Sequence, residues 1–214
     1  MANGAFPHFV YAKMWEAIQP MARGERYEDP LQAALEAGHL GDVSGGGSSI
    51  DKEYGIQFVG VDIDLASLDS LHLVKQILET AGAPRGSALE FDRDGEQTAI
   101  PFGVTERLTI WLDGITLPDE IYKDYSTDEL GDLLMAAMAI DPTSEIRGSW
   151  QGPRETSIYI HGADAEMLYQ AIEPVLFTRP DCQNARVIVR DGNPALNPRE
   201  VRVPVQGAGG PTKS

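Results

Sequence analysis

At 214 residues the chain can hold one large or two small domains. Its 33 acids against 17 lysines and arginines give a formal net charge of −16, which repels nucleic-acid phosphate and anionic lipid and attracts basic partners. No run approaches the roughly 18 apolar residues of a membrane span, Met1-Ala2-Asn3-Gly4-Ala5 lacks a basic-then-apolar leader pattern, and the lone Cys182 cannot close an intramolecular disulfide, so a protein of a reducing cytoplasm is expected.

In chain order, the spacing predicts a first strand over Phe9–Trp15. An amphipathic helix should begin at Asp29-Pro30-Leu31, with Asp29 as its N-cap and Leu31, Ala34 and Leu35 on one face. A glycine- and serine-containing strand or loop follows over Gly41–Ile50. Phe58–Leu65 is the clearest strand, and a second helix is predicted over Leu68–Ala81. Ala88–Asp92 should turn at Asp94-Gly95 and return as Thr98–Phe102, because Asp-Gly between strands favours a tight hairpin.

The same signals then repeat. Leu108–Leu112 reads as a strand. A helix follows in which Ser126 or Thr127 is the cap and Leu130, Leu133, Leu134 and Met138 mark one side. Ser144–Gly152 matches the glycine-containing segment, Thr156–His161 the clear strand, and Ala163–Phe177 the second helix. Ala185–Arg190 should turn at Asp191-Gly192 and return over Val201–Val205.

Spacing supports a duplication. Asp29 to Val61 is 32 residues and Asp128 to Ile158 is 30; Val61 to Leu89 is 28 and Ile158 to Val187 is 29. The order strand, helix, strand, strand, helix, strand with a hairpin return describes a ferredoxin-like unit with an added edge strand. The expected fold is therefore α+β, a tandem duplication with repeats over residues 1–104 and 105–205. Residues 206–214, rich in glycine and proline, should form a disordered tail.

Strand alternation sets Val59, Val61, Ile63, Leu65, Leu89 and Phe91 toward the first pair of helices. Phe58, Asp62, Asp64, Glu90 and Asp92 fall on the opposite face. In the second copy Leu108, Ile110, Leu112, Ile158, Ile160, Val187 and Val189 face the helices. Arg107, Trp111, Tyr159, His161, Arg186 and Arg190 take the opposite face. One open face is acidic, the other basic and aromatic. This predicts a face-to-face pseudo-dimer with charges paired across the seam; the rival is an extended tandem with both faces free.

Chemistry-bearing patterns are sparse. Gly45-Gly46-Gly47-Ser48-Ser49 could present backbone N–H groups to an anion, but it precedes a strand rather than a lysine-bearing helix, so it reads as an edge or bulge. Asp62 and Asp64 share a strand face without companion ligands. His8, His39, His72 and His161 make no metal-binding spacing. Cys182 has Asp181 against Arg179 and no nearby histidine, and no G-x-S-x-G occurs. No catalytic residue, metal or cofactor is expected.

Charge is uneven. Glu106–Phe177 holds 14 acids, offset by Arg107, Lys123, Arg147 and Arg154. Within Asp113–Asp132 the acids Asp113, Asp119, Glu120, Asp124, Asp128, Glu129 and Asp132 interleave with Ile115, Leu117, Ile121, Tyr122 and Tyr125. Steering charge mixed with apolar anchors suits a binder of a basic surface. The expected contact residues are Asp113, Asp119, Glu120, Tyr122, Asp124, Tyr125 and Trp150. Tyr122, Tyr125 and Trp150 supply buried area.

At Gly41-Asp-Val-Ser-Gly-Gly-Gly-Ser48, Leu117-Pro-Asp-Glu120 and Trp150-Gln-Gly-Pro153, the chain resembles a group of uncharacterised bacterial proteins over nearly its whole length. That resemblance implies no activity. In size, acidity and lack of catalytic residues it is similar to bacterial immunity proteins, which neutralise a toxin by covering its basic active site. The expected function is a non-catalytic acidic binding protein engaging a basic protein partner, an immunity or inhibitor protein in its sharpest form. No nucleic acid and no membrane is expected. The alternative is a small-molecule-binding protein or enzyme with Trp111, Tyr159, His161 and Asp62 lining a cavity between the sheets. A third class is a structural subunit of a larger assembly.

Overall fold

The computed structural model describes residues 6–205, so the expectations for the first five residues and for residues 206–214 lie outside it. The chain divides between Thr105 and Glu106 into two compact units. In the first, β1 (His8–Met14) leads through α1 (Pro20–Arg23), a π-helical stretch (Gly24–Glu28) and α2 (Asp29–Gly38) to β2 (Gly41–Asp51) and β3 (Gly55–Leu65). A 3-10 turn (Leu68–Ser70) and α3 (Leu71–Thr80) then lead to β4 (Ser87–Arg93) and β5 (Glu96–Phe102). The strands form one antiparallel sheet in the order β2-β3-β1-β4-β5.

The second unit repeats this plan. β6 (Glu106–Asp113), α4 (Asp119–Asp124), α5 (Thr127–Ala137), β7 (Glu145–Gln151) and β8 (Glu155–Gly162) are followed by α6 (Ala165–Thr178), β9 (Arg186–Asp191) and β10 (Arg199–Arg202). The sheet order is β10-β9-β6-β8-β7. In both units the first strand is central, flanked by the third and fourth, with the fifth strand added outside the fourth. Each unit is a ferredoxin-like βαββαβ fold with one extra edge strand.

Period-2 alternation decides each core. Val59, Val61, Ile63, Leu65 and Leu89 are fully buried, and Phe91 nearly so. In the second unit Leu108, Ile110, Ile160, Val187 and Val189 meet Leu130, Leu134 and Met138 of the α5 region and Leu168, Ile172 and Leu176 of α6. Each such aliphatic side chain contributes about 1.5–3 kcal/mol relative to exposure. Ser126 caps α5 by accepting from Asp128 N–H. Asp164 caps α6 by accepting from Glu166 and Met167 N–H.

Two local expectations are corrected. Asp29 is no N-cap: the chain is already helical from Pro20, and no side chain caps α2. Asp29 N–H donates five residues back to Gly24, and Pro30 has no N–H to give. The switch from π to α therefore falls where no donor is lost. The second hairpin also lacks the tight turn of the first. Asp94 (φ 58°) and Gly95 (φ 87°) fit a two-residue hairpin turn, whereas β9 and β10 are joined by residues 192–198 with a 3-10 turn at Pro194–Leu196. Pro194 and Pro198 cannot donate to a ladder. The Asp191 carboxylate is held by Arg107, Thr109 and Gly192 N–H.

The glycine tract is structural. It lies in β2, an edge strand with bulges at Val43/Gly45 and Ser49/Ile50. A Cβ on Gly46 would meet Glu28 Oε1 at 2.9 Å and Arg23 Nη2 at 3.0 Å. The Arg23 guanidinium, bonded to Glu28 (2.6 Å) and Ser48 Oγ (3.2 Å), thus lies against bare backbone.

Candidate binding surface

The stretch from Asp113 to Asp132 becomes a strand end, a loop and two short helices. Asp113 accepts from Ile115 N–H and Thr116 N–H, each at 2.8 Å, from the Thr116 hydroxyl, and from Asn184 Nδ2 at 3.2 Å. Burial alone would raise its pKa, but these hydrogen bonds hold the carboxyl below its ordinary value. Asp113 therefore shapes the loop rather than presenting a free charge. Leu117 is buried, and its N–H donates to Tyr122 Oη at 2.9 Å. That bond and half-buried Ile121 pin α4, leaving Asp119, Glu120, Lys123 and Asp124 exposed.

Tyr125 follows in extended conformation and ends α4. The Arg179 guanidinium lies 5.1 Å from its ring centroid. Arg179 also holds Asp181 with two bonds (2.9 and 3.0 Å) and reaches Glu129 at 3.4 Å. Asp128 and Asp132, one turn apart on α5, are exposed.

Asp119, Glu120, Asp124, Asp128 and Asp132 have no ion pair among the described residues. Three other acids of this unit contrast with them: Arg107 pairs with Asp191 (2.9 Å), Arg186 with Glu155 (2.6 Å) and Arg199 with Glu166 (2.6 Å). Five exposed carboxylates without an ion pair thus cluster on α4 and α5, whereas the others of this unit, such as Asp164 and Glu173, are scattered and hydrogen-bonded locally. Tyr122 (40 % exposed), Leu133 (41 %) and Met135 (38 %) stand among them.

Two clefts border this surface. One, of about 570 Å³, lies between α5 and β7; Asp128, Asp132, Met135, Ile146 and Ser149 are among its walls. The other, of about 360 Å³, is lined by Asp113, Tyr122, Tyr125, Gln151 and Asp181. Thr127 lines both, so they adjoin.

The structure brings Asp113, Tyr122 and Tyr125 to one cleft and places Asp119, Glu120 and Asp124 on the exposed side of α4. It does not bring Trp150 to them. Trp150 pairs with Ser157 of β8, which in turn pairs with Trp111 of β6. That row lies on the sheet face turned away from the helices. Grouping Trp150 with the tyrosines is corrected by strand parity: Ser149 and Gln151 face the helix side, and Trp150 lies between them. Asp128, Asp132 and Met135 gain a place at the cleft that acid density alone did not give them; the four-residue spacing of the two aspartates is the signal that marks their shared face.

On the face turned from the helices, Arg107, Trp111, Tyr159 and His161 are buried and Arg186 and Arg190 half-buried. Arg107 lies 5.6 Å from the Tyr159 ring and Arg186 5.4 Å from the Trp111 ring. Both arginines have carboxylate partners within their own sheet. In the first unit Tyr11 stands between Asp62 and Glu90 by register, and Lys13 lies over Trp15 and Phe58.

Cys182 is fully buried, and burial, then Asp181, push its thiol up to about 12. Among the described residues no three His, Cys, Asp or Glu side chains gather as a metal site, and no helix is long and apolar enough to cross a membrane.

No protein-family model matches the chain, and no curated protein matches it. Among solved structures, it is similar to a proposed monooxygenase from Lactobacillus acidophilus at 16 % identity, covering 85 % of this chain and 91 % of that one, with a TM-score of 0.29. It is also similar to the first two RRM domains of the yeast poly(U)-binding protein at 11 % identity, covering 84 % of this chain and 96 % of that one, with a TM-score of 0.23. Similarity at this level does not extend to function; the fold assignment rests on strand order.

Proposed function

We propose that the chain is a non-catalytic acidic binding protein of the cytoplasm that engages a basic protein partner through α4 and α5, in the manner of an immunity or inhibitor protein. The observation that carries this reading is the clustering on α4 and α5 of five exposed carboxylates that have no ion pair among the described residues, while Asp191, Glu155 and Glu166 are held by arginines. Helix dipoles favour Asp119 and Glu120 in the first turn of α4 and Asp128 in the first turn of α5. They do not favour Asp124, the last residue of α4, or Asp132 within α5. Glu120 with Asp124, and Asp128 with Asp132, are like charges four apart, each pair costing about 0.2–0.5 kcal/mol. A basic partner would offset that repulsion, and Tyr122, Leu133 and Met135 would supply apolar contact.

The test is affinity capture with the full-length protein from its source organism, at low salt and at about 0.5 M, where the Debye length is only a few ångströms. Retention of a stoichiometric basic protein that is lost at high salt supports the reading. Its absence at both salts refutes it.

A further inference from the structure

We infer that the partner of this surface presents an extended basic segment that adds as a strand to β7, with its cations seated on Asp128 and Asp132. The inference rests on the acidic-binder reading and names the form its partner takes. β7 is the last strand of its sheet, so its outer backbone edge has no neighbouring strand among the described residues. Such an edge is a template for an incoming chain. The two adjoining clefts run along this strand, from Ile146 in one to Gln151 in the other; α5 forms the opposite wall of the first, and α4 with Tyr125 that of the second.

Geometry and charge fix the occupant. Asp128 and Asp132 are separated by about 6 Å along the helix axis. Alternate residues of an extended strand are about 6.6 Å apart on one side. Lysines or arginines at i and i+2 therefore match the two carboxylates. Among the described residues the groove's one cation, Arg147, has a side chain only 2 % exposed and is held by Glu145 at 2.9 Å. It leaves the carboxylates uncompensated. Tyr125 already carries the Arg179 guanidinium on its ring, and exposed Tyr122 is placed for similar contact with an incoming cation. The bulge between Ile146 and Gly148 limits regular pairing to Gly148–Gln151, so the segment is short.

The probe is a fluorescent Lys-Val-Lys-Val-Lys peptide titrated onto the full-length protein at low salt. It is compared with two versions N-methylated at alternate amides, one in each phase. Strand addition uses the N–H groups of one peptide edge only. One phase should therefore lose affinity about tenfold while the other binds like the parent. Asp128→Asn with Asp132→Asn should weaken the parent by about two- to thirtyfold. Equal binding by all three peptides overturns the strand inference and leaves the acidic-surface reading standing. No peptide binding, with a basic protein still captured in a salt-sensitive way, overturns it likewise. Undiminished binding by the double variant overturns the assigned groove. A dimer of the chain that the peptide dissociates makes a second copy the occupant and also overturns the inference.

Discussion

Gly60 gives the sharpest test of the first sheet. It lies on β3, opposite Lys13 of β1 and two pairs along from Tyr11 and Asp62, hence on the same face. A Cβ there would fall 2.2 Å from Tyr11 Cε2 and Oη and 2.3 Å from Cζ. Ordinary contact needs about 3.5 Å. The phenol end of the Tyr11 ring therefore lies against the bare backbone of Gly60, and Gly60→Ala must displace it by more than an ångström. Overpacking of this kind costs about 1–3 kcal/mol. Replacing glycine inside a strand returns about 0.5–1 kcal/mol. A net loss of about 1–2 kcal/mol is expected from urea unfolding, with faster amide exchange in β1 and β3. In a Tyr11→Ala background the clash is gone, and Gly60→Ala should become neutral or stabilising. If the two substitutions are additive, the ring does not rest on Gly60 and the reasoning fails.

Three further outcomes follow from the same geometry. Cys182, buried with its thiol pushed up to about 12, should resist a disulfide reagent at pH 8 in the folded protein and react at once in urea; rapid native reaction would contradict its burial. Burial raises Tyr11, Tyr159 and Tyr169, the last to about 12 with help from Glu173. Folding thus favours the neutral phenols, so their contribution is full below about pH 10 and fades as pH rises through the folded values; the 295 nm titration of the folded protein should lag that of the unfolded chain. Asp113→Ala should cost about 1–2 kcal/mol at pH 6 by releasing the Thr116 loop. Because the folded carboxyl is depressed, that difference should be full above about pH 4 and shrink as pH falls through the lower folded value; a gap constant down to pH 2 would assign the loss to something other than the ionised carboxylate.

Much of the fold is legible in the residues because its signals are local. Val59, Val61, Ile63 and Leu65 alternate with polar residues, Asp94-Gly95 tolerates positive φ, and the same intervals recur. The helical run from Pro20 is not legible. Gly24 and Pro30 break the pattern, and only a π turn reconciles them. The loop between β9 and β10 escapes because Asp191 is claimed by Arg107, which is 84 positions away in the chain. At the candidate site, acid density marks the α4–α5 region, but strand parity decides which side of the sheet a residue serves. It sends Trp150 away from Tyr122 and Tyr125. Asp113 looks like a contact charge in the sequence, yet the turn it closes consumes its acceptors.

The central claim concerns the unpaired acids, and the most direct measurement is the affinity of the captured basic partner across a salt series. Wild type is compared with a variant carrying Asp119→Asn, Glu120→Gln, Asp124→Asn, Asp128→Asn and Asp132→Asn. At about 0.2–1 kcal/mol for each exposed charge, the variant should lose about tenfold to a thousandfold in affinity at low salt and most of its salt dependence. Unchanged affinity and an unchanged salt slope would contradict the account, because the partner would then be held by another part of the molecule.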